Sequence, residues 1–197
     1  MVRKALVICV LMITLPLCAC RAGGSTSPQE QALSIRTDYL AATGCTARVT
    51  LRADYGRRVY DYEGAVTVSG GDTVLTLTAP AEVAGVVARL SGPNGQLEYE
   101  GTVVETGPLS DEGLTPLGAV PALLEAARSG FMDSSTLETL DETSVLRVLC
   151  REPSLSPGQG QEATLWFDPA SGALLLGELT LDGRQVVRCE FEQFVLL

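Results

Sequence analysis

Two pairs of neighbouring acidic residues are the side chains whose types and spacing could support catalysis. Asp111-Glu112 falls in a Gly/Pro-rich segment, and Asp141-Glu142 precedes an alternating apolar run. Adjacent carboxyls can serve as general acid and general base when their environments separate their pKa values. The chain contains no His, and no nucleophile elbow or phosphate-binding glycine loop accompanies either pair. We therefore expect both pairs to be solvated surface charges and the chain not to be an enzyme.

The cysteines indicate no metal site. Cys45, Cys150 and Cys189 lie in the main part of the chain, and no Cys-x-x-Cys spacing occurs. Without His, the usual zinc ligand sets are missing, so we expect neither a metal nor a cofactor. Cys45 shares an alternating face with Val49, and Cys189 shares one with Val187, which predicts two small buried residues. One disulfide among the three is compatible with an oxidising compartment, and the sequence does not select the pair.

The N-terminal segment reads as a targeting signal. Arg3 and Lys4 form a short basic start, and residues 5–19 are free of charge. These residues are too few to span a membrane, which needs ~20, and they fit the core of a signal peptide. Pro16 also argues against a continuous helix. We therefore expect residues 1–19 to be a signal peptide.

The end of this segment, Leu-Cys-Ala-Cys at positions 17–20, resembles the lipobox of bacterial lipoproteins. The resemblance implies that Cys20 receives a diacylglycerol thioether and becomes the mature N-terminus. Two acyl chains suffice for stable anchoring. The alternative is an ordinary secretory signal cut after Ala19, with Cys20 unmodified. Residues 20–27 would then comprise the lipidated Cys and a Gly/Ser/Thr-rich flexible tether, which predicts an extracytoplasmic protein anchored by lipid to the bacterial cell membrane.

The charge of the mature part excludes some partners. The chain has 14 basic residues, of which Arg3 and Lys4 would be removed, so 12 remain against 24 acidic residues. A net charge of −12 argues against binding nucleic acid or an anionic lipid surface. The 178 residues from Cys20 onward are enough for one domain with a sizeable core.

The apolar pattern predicts an α+β fold built on a strongly curved antiparallel sheet of about 9–11 strands. Residues 28–42 read as a helix with Leu33, Tyr39 and Leu40 as its apolar stripe and Gly44 as its end. Alternating strands follow. A helical insert over residues 115–130, with a cap at Thr115-Pro116 and a kink or a restart of the helix at Pro121, separates them from a second run of strands that begins near residue 142. The strand faces give a set of core or cavity candidates: Val49, Leu51, Tyr60, Tyr62, Val66, Val68, Leu75, Leu77, Leu97, Tyr99, Leu165, Phe167, Leu175, Leu179, Val187 and Phe191. Trp166 alternates away from this face, to pack under a helix or to mark a partner surface.

This order of elements resembles the LolA/LolB lipoprotein-carrier superfamily. The likeness is clearest in residues 165–194, where a strand ends in Asp-Pro and two long strands joined by Asp-Gly end in Phe-x-x-Phe. The initial helix followed by Cys-Thr-Ala-Arg-Val-Thr-Leu also matches, so the likeness covers residues 28–197 as a single domain. It implies an incomplete antiparallel barrel covered by helices. With its lipobox, the chain looks most like the GerS-type germination lipoproteins of spore-forming bacteria.

Two functions follow from the resemblance. The half-barrel binds a hydrophobic ligand, either an acyl chain or a lipoprotein lipid. Alternatively, it is a GerS-like non-catalytic scaffold that forms a homodimer or docks an envelope or spore-cortex enzyme. Both place the membrane beside the chain through the diacylglycerol on Cys20. The sequence alone leaves open whether the core encloses a cavity or is filled.

Overall fold

A computed structural model describes residues 26–92, 94–108 and 114–197. This part of the chain has two helices, α1 (Pro28–Ala41) and α2 (Ala119–Ser129). The strands before α2 are β1 (Gly44–Asp54), β2 (Val59–Ser69), β3 (Asp72–Ala79), β4 (Val87–Ser91), β5 (Asn94–Tyr99) and β6 (Thr102–Pro108). The strands after it are β7 (Met132–Leu140), β8 (Thr143–Arg151), β9 (Gln161–Phe167), β10 (Leu174–Leu181) and β11 (Arg184–Leu196). No helix of the described part is long and apolar enough to cross a membrane.

All the strands belong to one antiparallel sheet in the order β6-β5-β4-β3-β2-β1-β11-β10-β9-β8-β7. The first and last strands join the two halves, because β1 pairs with β11 along most of its length. β6 and β7 are the two edges, so the sheet is open. The register of several strand pairs shifts at a bulge or irregularity. One shift lies between Glu63 and Gly64 of β2, and another lies between Leu179 and Thr180 of β10. Bulges bend and twist the strands that carry them. The predicted fold class is confirmed, with the strand number at the upper end of the expected range.

Two features of the sheet differ from the prediction. The sequence predicts no strand over residues 132–140, yet they form the edge strand β7, whose mostly polar sequence carries little alternating signal. The alternating sequence of residues 96–104 predicts one strand, but these residues contain the hairpin between β5 and β6. Its turn uses Glu100 at φ +47° and Gly101 at φ +79°. Glu is a rare residue in that conformation, which is why the turn lacks a sequence signature.

Helix α1 has a capped start, and of its predicted apolar stripe only Tyr39 is buried. Ser27 and Glu30 form a reciprocal capping box, which satisfies two amide donors at the helix start. The buried residues are Ala32, Ile35 and Tyr39, whereas Leu33 and Leu40 are 49% and 59% exposed. The helix ends at Ala41, with Ala42 as its C-cap, so the predicted cap Gly44 is instead the first residue of β1. A Cβ at Gly44 would lie 2.0 Å from the Val68 carbonyl oxygen.

Helix α2 begins later than predicted. Its N-cap is Gly118, and the Thr115 hydroxyl accepts a hydrogen bond from the Gly118 amide at 3.1 Å. Pro121 is therefore the third helical residue, where the backbone N–H would have no intrahelical partner. Pro121 lies in the first turn of α2 and does not kink it, so of the two predicted alternatives the structure agrees with a helix start at this point. Gly130 ends the helix as expected, and its amide donates to the Ala126 carbonyl.

Candidate functional site

A mostly apolar cavity of about 420 Å³, here called cavity A, lies among the described residues. Its floor is the inner face of β1, β2, β3 and β5, and its roof is the turn that leads into α2. Volumes of 300–1,000 Å³ are typical of small-molecule sites, which are mostly apolar with a few polar groups. The lining residues are Val49, Leu51, Tyr62, Glu63, Gly64, Leu75, Leu77, Val83, Val86, Leu97, Thr106, Thr115, Pro116 and Leu117.

Cavity A exists because both helices pack over the other half of the sheet. α1 contacts β7 and β8, and α2 contacts β9, β10 and β11. The closest approach is at Gly177 of β10, where a Cβ would lie only 2.6 Å from Leu123 Cδ1. The missing side chain lets α2 sit directly on the sheet at this point. Helix α2 therefore lies over β9, β10 and β11. The inner face of β3 and β5 lines cavity A instead of packing against this helix.

Two arginines fix the helices to each other. Arg36 of α1 donates to the carbonyl oxygens of Ala127 at 3.2 Å and Gly130 at 2.6 Å. Arg128 of α2 donates to the carbonyl oxygens of Tyr39 at 3.1 Å and Ala42 at 3.2 Å. Each guanidinium therefore caps the C-terminal end of the other helix, where carbonyls lack intrahelical partners and positive charge is favourable. The pair forms one unit against β7–β11.

The roof of cavity A is tied to the β1–β2 turn. The Tyr55 hydroxyl donates to the Leu114 carbonyl oxygen at 2.8 Å. Tyr55, Tyr60 and Tyr62 form a row of rings with centroids 6.1 Å and 6.3 Å apart. Burial raises the pKa of Tyr55, so its hydroxyl stays protonated and can donate this bond at neutral pH. The row ends at Tyr62, which lines the cavity.

A second hollow, cavity B, has a volume of about 240 Å³ and lies at the opposite end of the same strands. Its walls include Cys45, Val68, Thr73 and Leu124, with Arg128 at its side. A third hollow of about 730 Å³ lies at the start of α1. Most of its lining residues are polar or Gly, and Pro28, Phe131 and Met132 are the apolar ones, so it is less apolar than cavity A.

The three described cysteines are free and buried, so the disulfide that the sequence allowed is not formed among them. Burial raises the pKa of Cys45 to about 11 and also raises those of Cys150 and Cys189. Thiols with raised pKa values are poor nucleophiles at neutral pH because the thiolate is the reactive form. Cys20 lies outside the described residues.

The acidic pairs are not brought together with other reactive groups in the described part. Asp141 and Glu142 form the exposed turn between β7 and β8, both at positive φ. Asp111 and Glu112 lie outside the described residues. Within residues 26–92, 94–108 and 114–197, no group of three His, Cys, Asp or Glu residues could hold a metal ion.

The candidate residues fall into three groups in the structure. Six line cavity A, namely Val49, Leu51, Tyr62, Leu75, Leu77 and Leu97, and Val68 lines cavity B. Most of the others belong to the packed core: Tyr60, Val66, Leu165, Phe167, Leu179, Val187 and Phe191. Tyr99 is instead 46% exposed, at the end of β5. Leu175 is only half-buried, because a register shift between Leu174 and Leu176 breaks the alternation and places Leu174 in the core.

Trp166 lies on the outer face, where the Arg147 guanidinium stands over its ring at 5.8 Å and its indole N–H donates to Glu138. Some cavity residues lie in the loops between strands and helices and were not predicted from the sequence. These are Val83 and Val86 in the β3–β4 loop and Pro116 and Leu117 in the turn before α2. Leu117 stood out only as part of the predicted helix, and strand alternation carries no signal for loop residues.

No family model matches the chain, and no curated protein matches it. Several solved structures do match it. The LolA superfamily protein NE2245 from Nitrosomonas europaea is 16% identical over 84% of this chain and 93% of its own, with a TM-score of 0.41. The lipoprotein LppX from Mycobacterium tuberculosis is 17% identical over 85% of this chain and 92% of its own, also with a TM-score of 0.41.

A third similar structure is that of the CwlD amidase from Clostridioides difficile in complex with the GerS lipoprotein. The match is 9% identical over 87% of this chain and 96% of the matched chain, with a TM-score of 0.43. The solved structures to which this chain is similar include a protein of the LolA superfamily, the resemblance that the sequence suggested.

Proposed function

We propose that this chain is an extracytoplasmic lipoprotein that holds the acyl chain of a lipid in cavity A. The observation that carries the proposal is the cavity itself. Its volume is about 420 Å³, its lining is mostly apolar, and it lies on one side of an open sheet. A filled core would leave no space for a ligand. Burying each CH₂ group of an acyl chain contributes ~0.8 kcal/mol, against an association penalty of ~4–15 kcal/mol, so about 15 groups are needed for a micromolar Kd even at the lower penalty.

The polar groups of cavity A limit the head group of the ligand. Glu63, Thr106 and Thr115 are the ionisable or hydroxyl-bearing residues of the lining apart from Tyr62, and the lining holds no Arg. Phosphate groups in proteins are usually met by Arg, Lys or backbone amides. The lining therefore favours an uncharged, hydroxyl-bearing or glyceride-like polar end over an anionic phospholipid head.

The proposed anchor keeps the cavity close to the membrane. Ser27, which caps α1, follows the proposed lipidation site Cys20 by seven residues. Seven extended residues reach at most ~24 Å. A domain held at this distance meets membrane lipids at a high effective concentration, which suits a protein that receives or stores one lipid at a time.

Cavity filling tests the proposal. Leu77→Trp places a large side chain into cavity A, and Thr78→Trp places the same side chain one residue on, on the exposed outer face of β3. The apolar dye N-phenyl-1-naphthylamine should bind the wild-type domain and the Thr78→Trp variant, with at least tenfold weaker binding to Leu77→Trp. Equal dye binding by all three proteins would contradict the proposal.

A docking scaffold is the second candidate function, and the edge strand β6 favours it. Val103 and Val104 are neighbours on this strand and both are more than half exposed. An edge with free backbone groups and exposed apolar side chains can pair with another chain. Light scattering on the ligand-free domain distinguishes the two functions, because the scaffold predicts self-association or a stable partner that needs no lipid.

We propose no catalytic role. Asp141 and Glu142 are exposed in a turn, and the sequence lacks His. Replacing Asp111, Glu112, Asp141 and Glu142 together by their amides should leave dye binding and membrane attachment unchanged. A loss of cellular function in a variant that still folds and binds dye would instead support an enzyme.

A further inference from the structure

We propose that cavities A and B are two compartments of a single acyl-chain channel that runs along the inner face of β1, β2 and β3. This inference rests on the proposed function and extends it, because it assigns the ligand a chain too long for cavity A alone. The channel would hold the polar end of the lipid near Thr106 and Thr115. The methyl end of the chain would reach the hollow beside Cys45.

The strand register places both cavities on the same face. Inward-facing residues recur at every second position of a strand. On β1, Leu51 and Val49 line cavity A, and Cys45 lines cavity B. Cys45 pairs with Val68 of β2, and Leu51 pairs with Tyr62 of the same strand. The two hollows are therefore the two ends of one strip of the sheet.

A single row of side chains separates them. Between the two ends, the inward positions are Ala47 of β1 and its partner Val66 of β2, which pairs with Leu75 of β3. On the helix side, Leu124 lies four residues after Val120, which puts both on one face of α2, and Leu117 lies in the turn just before this helix. Leu117 lines cavity A and Leu124 lines cavity B. The buried side chains along this strip between the two cavities therefore include Ala47 and Val66 of the sheet, with Val120 on the helix.

The dimensions fit a membrane lipid. From Leu51 to Cys45 the strand advances six residues, or about 20 Å, and half of a bilayer's hydrocarbon core is about 15 Å thick. At ~30 Å³ for a group the size of water or CH₂, cavity A holds about 14 groups and both cavities hold about 22. An acyl chain of membrane length fills more than cavity A and fits within the two together.

The walls of cavity B suit a hydrocarbon end. The Cys45 thiol is uncharged at neutral pH because burial raises its pKa. The Arg128 guanidinium is engaged with the carbonyl oxygens of Tyr39 and Ala42, so its hydrogen bonds point to the backbone. Val68, Leu124 and Leu196 supply apolar surface, and Thr73 and Glu125 are further polar members of the lining.

Chain-length dependence of binding tests the channel. The probes are uncharged 1-monoacylglycerols with saturated chains of about 8 to about 20 carbons, which compete with N-phenyl-1-naphthylamine for the wild-type domain. If the chain enters cavity B, affinity rises by about fourfold per CH₂ beyond about 14 carbons. Val68→Trp fills cavity B from the sheet, and Thr67→Trp on the outer face of the same strand is its control. Leu124→Phe fills cavity B from the helix, in case the sheet variant fails to fold.

The expected result is that Val68→Trp or Leu124→Phe keeps the wild-type affinity for chains of about 12 carbons and loses the gain for longer ones, while Thr67→Trp behaves as wild type. A wild-type affinity that stops rising near 14 carbons overturns the channel and leaves the ligand in cavity A. Unchanged long-chain affinity in the cavity B variants overturns it as well. Failure of the wild-type protein to bind any chain overturns the proposed function, and the channel with it.

Discussion

The contact between α2 and β10 decides whether the sheet keeps an open half, and a methyl group at Gly177 perturbs it directly. A Cβ at Gly177 would lie 2.6 Å from Leu123 Cδ1 and 2.8 Å from Cδ2. Leu123 is fully buried, so its side chain has little room to move. Overpacking of this kind destabilises a core by ~1–3 kcal/mol. We expect Gly177→Ala to lower the free energy of unfolding by that amount, which in a domain of this size lowers Tm by roughly 2–12 °C.

A double-mutant cycle measured by urea denaturation isolates the contact. Leu123→Ala alone should cost ~2–5 kcal/mol, since it opens a cavity under α2. In the double variant, the methyl group introduced at position 177 occupies part of the space that Leu123 leaves, so the combined loss should be smaller than the sum by at least ~1 kcal/mol. Gly177→Ala with wild-type stability, or strict additivity of the two changes, would refute the account of why α2 lies where it does.

Three further predictions concern the caps, the thiols and the anchor. Arg128→Met removes two charge-assisted hydrogen bonds to the end of α1, so we expect a loss of ~1.5–3 kcal/mol in urea denaturation, and a stability equal to wild type would show that water replaces the cap. Burial raises the pKa of Cys45 to about 11 from 9.0. The uncharged thiol therefore contributes fully to the stability of the folded state below pH 9, and this contribution is lost as the pH rises towards 11. Between these pH values, the free energy of unfolding of a Cys45→Ala variant should therefore fall by on the order of 3 kcal/mol less than that of the wild type. Curves of unfolding free energy against pH that run parallel for the two proteins would contradict the raised pKa of Cys45. Cys20→Ser should move the protein from the membrane to the soluble fraction, and a variant that stays membrane-bound would show that the lipobox interpretation is wrong.

The sheet was predictable where one of its faces is buried and the other is wet. The alternation of β1, from Cys45 to Leu51, appears in the structure as four inward residues that all pair with β2, and all but Ala47 also pair with β11. β7 was missed because an edge strand with a polar sequence, Met132–Leu140, need not alternate. Leu175 departs from the alternation because a bulge changes which residues face inward, and bulges leave little trace in a single sequence.

The candidate site was predictable only as a list of apolar side chains. Val49, Leu77 and Leu97 line a cavity, whereas Val187 and Phe191 face the same side of the sheet and are fully packed. Nothing in the residue types separates the two groups. The difference depends on where the helices lie, which is set by tertiary contacts such as Leu123 against Gly177. A propensity or a period does not contain that information.

Native mass spectrometry of residues 21–197, purified gently from the organism that makes the protein, tests the central claim most directly. The account predicts a folded domain that carries one additional mass, which organic extraction identifies as a lipid with an acyl chain. A folded domain with the mass of the bare polypeptide would contradict it, and a ligand-free dimer or a co-purifying protein would identify the chain as a docking scaffold.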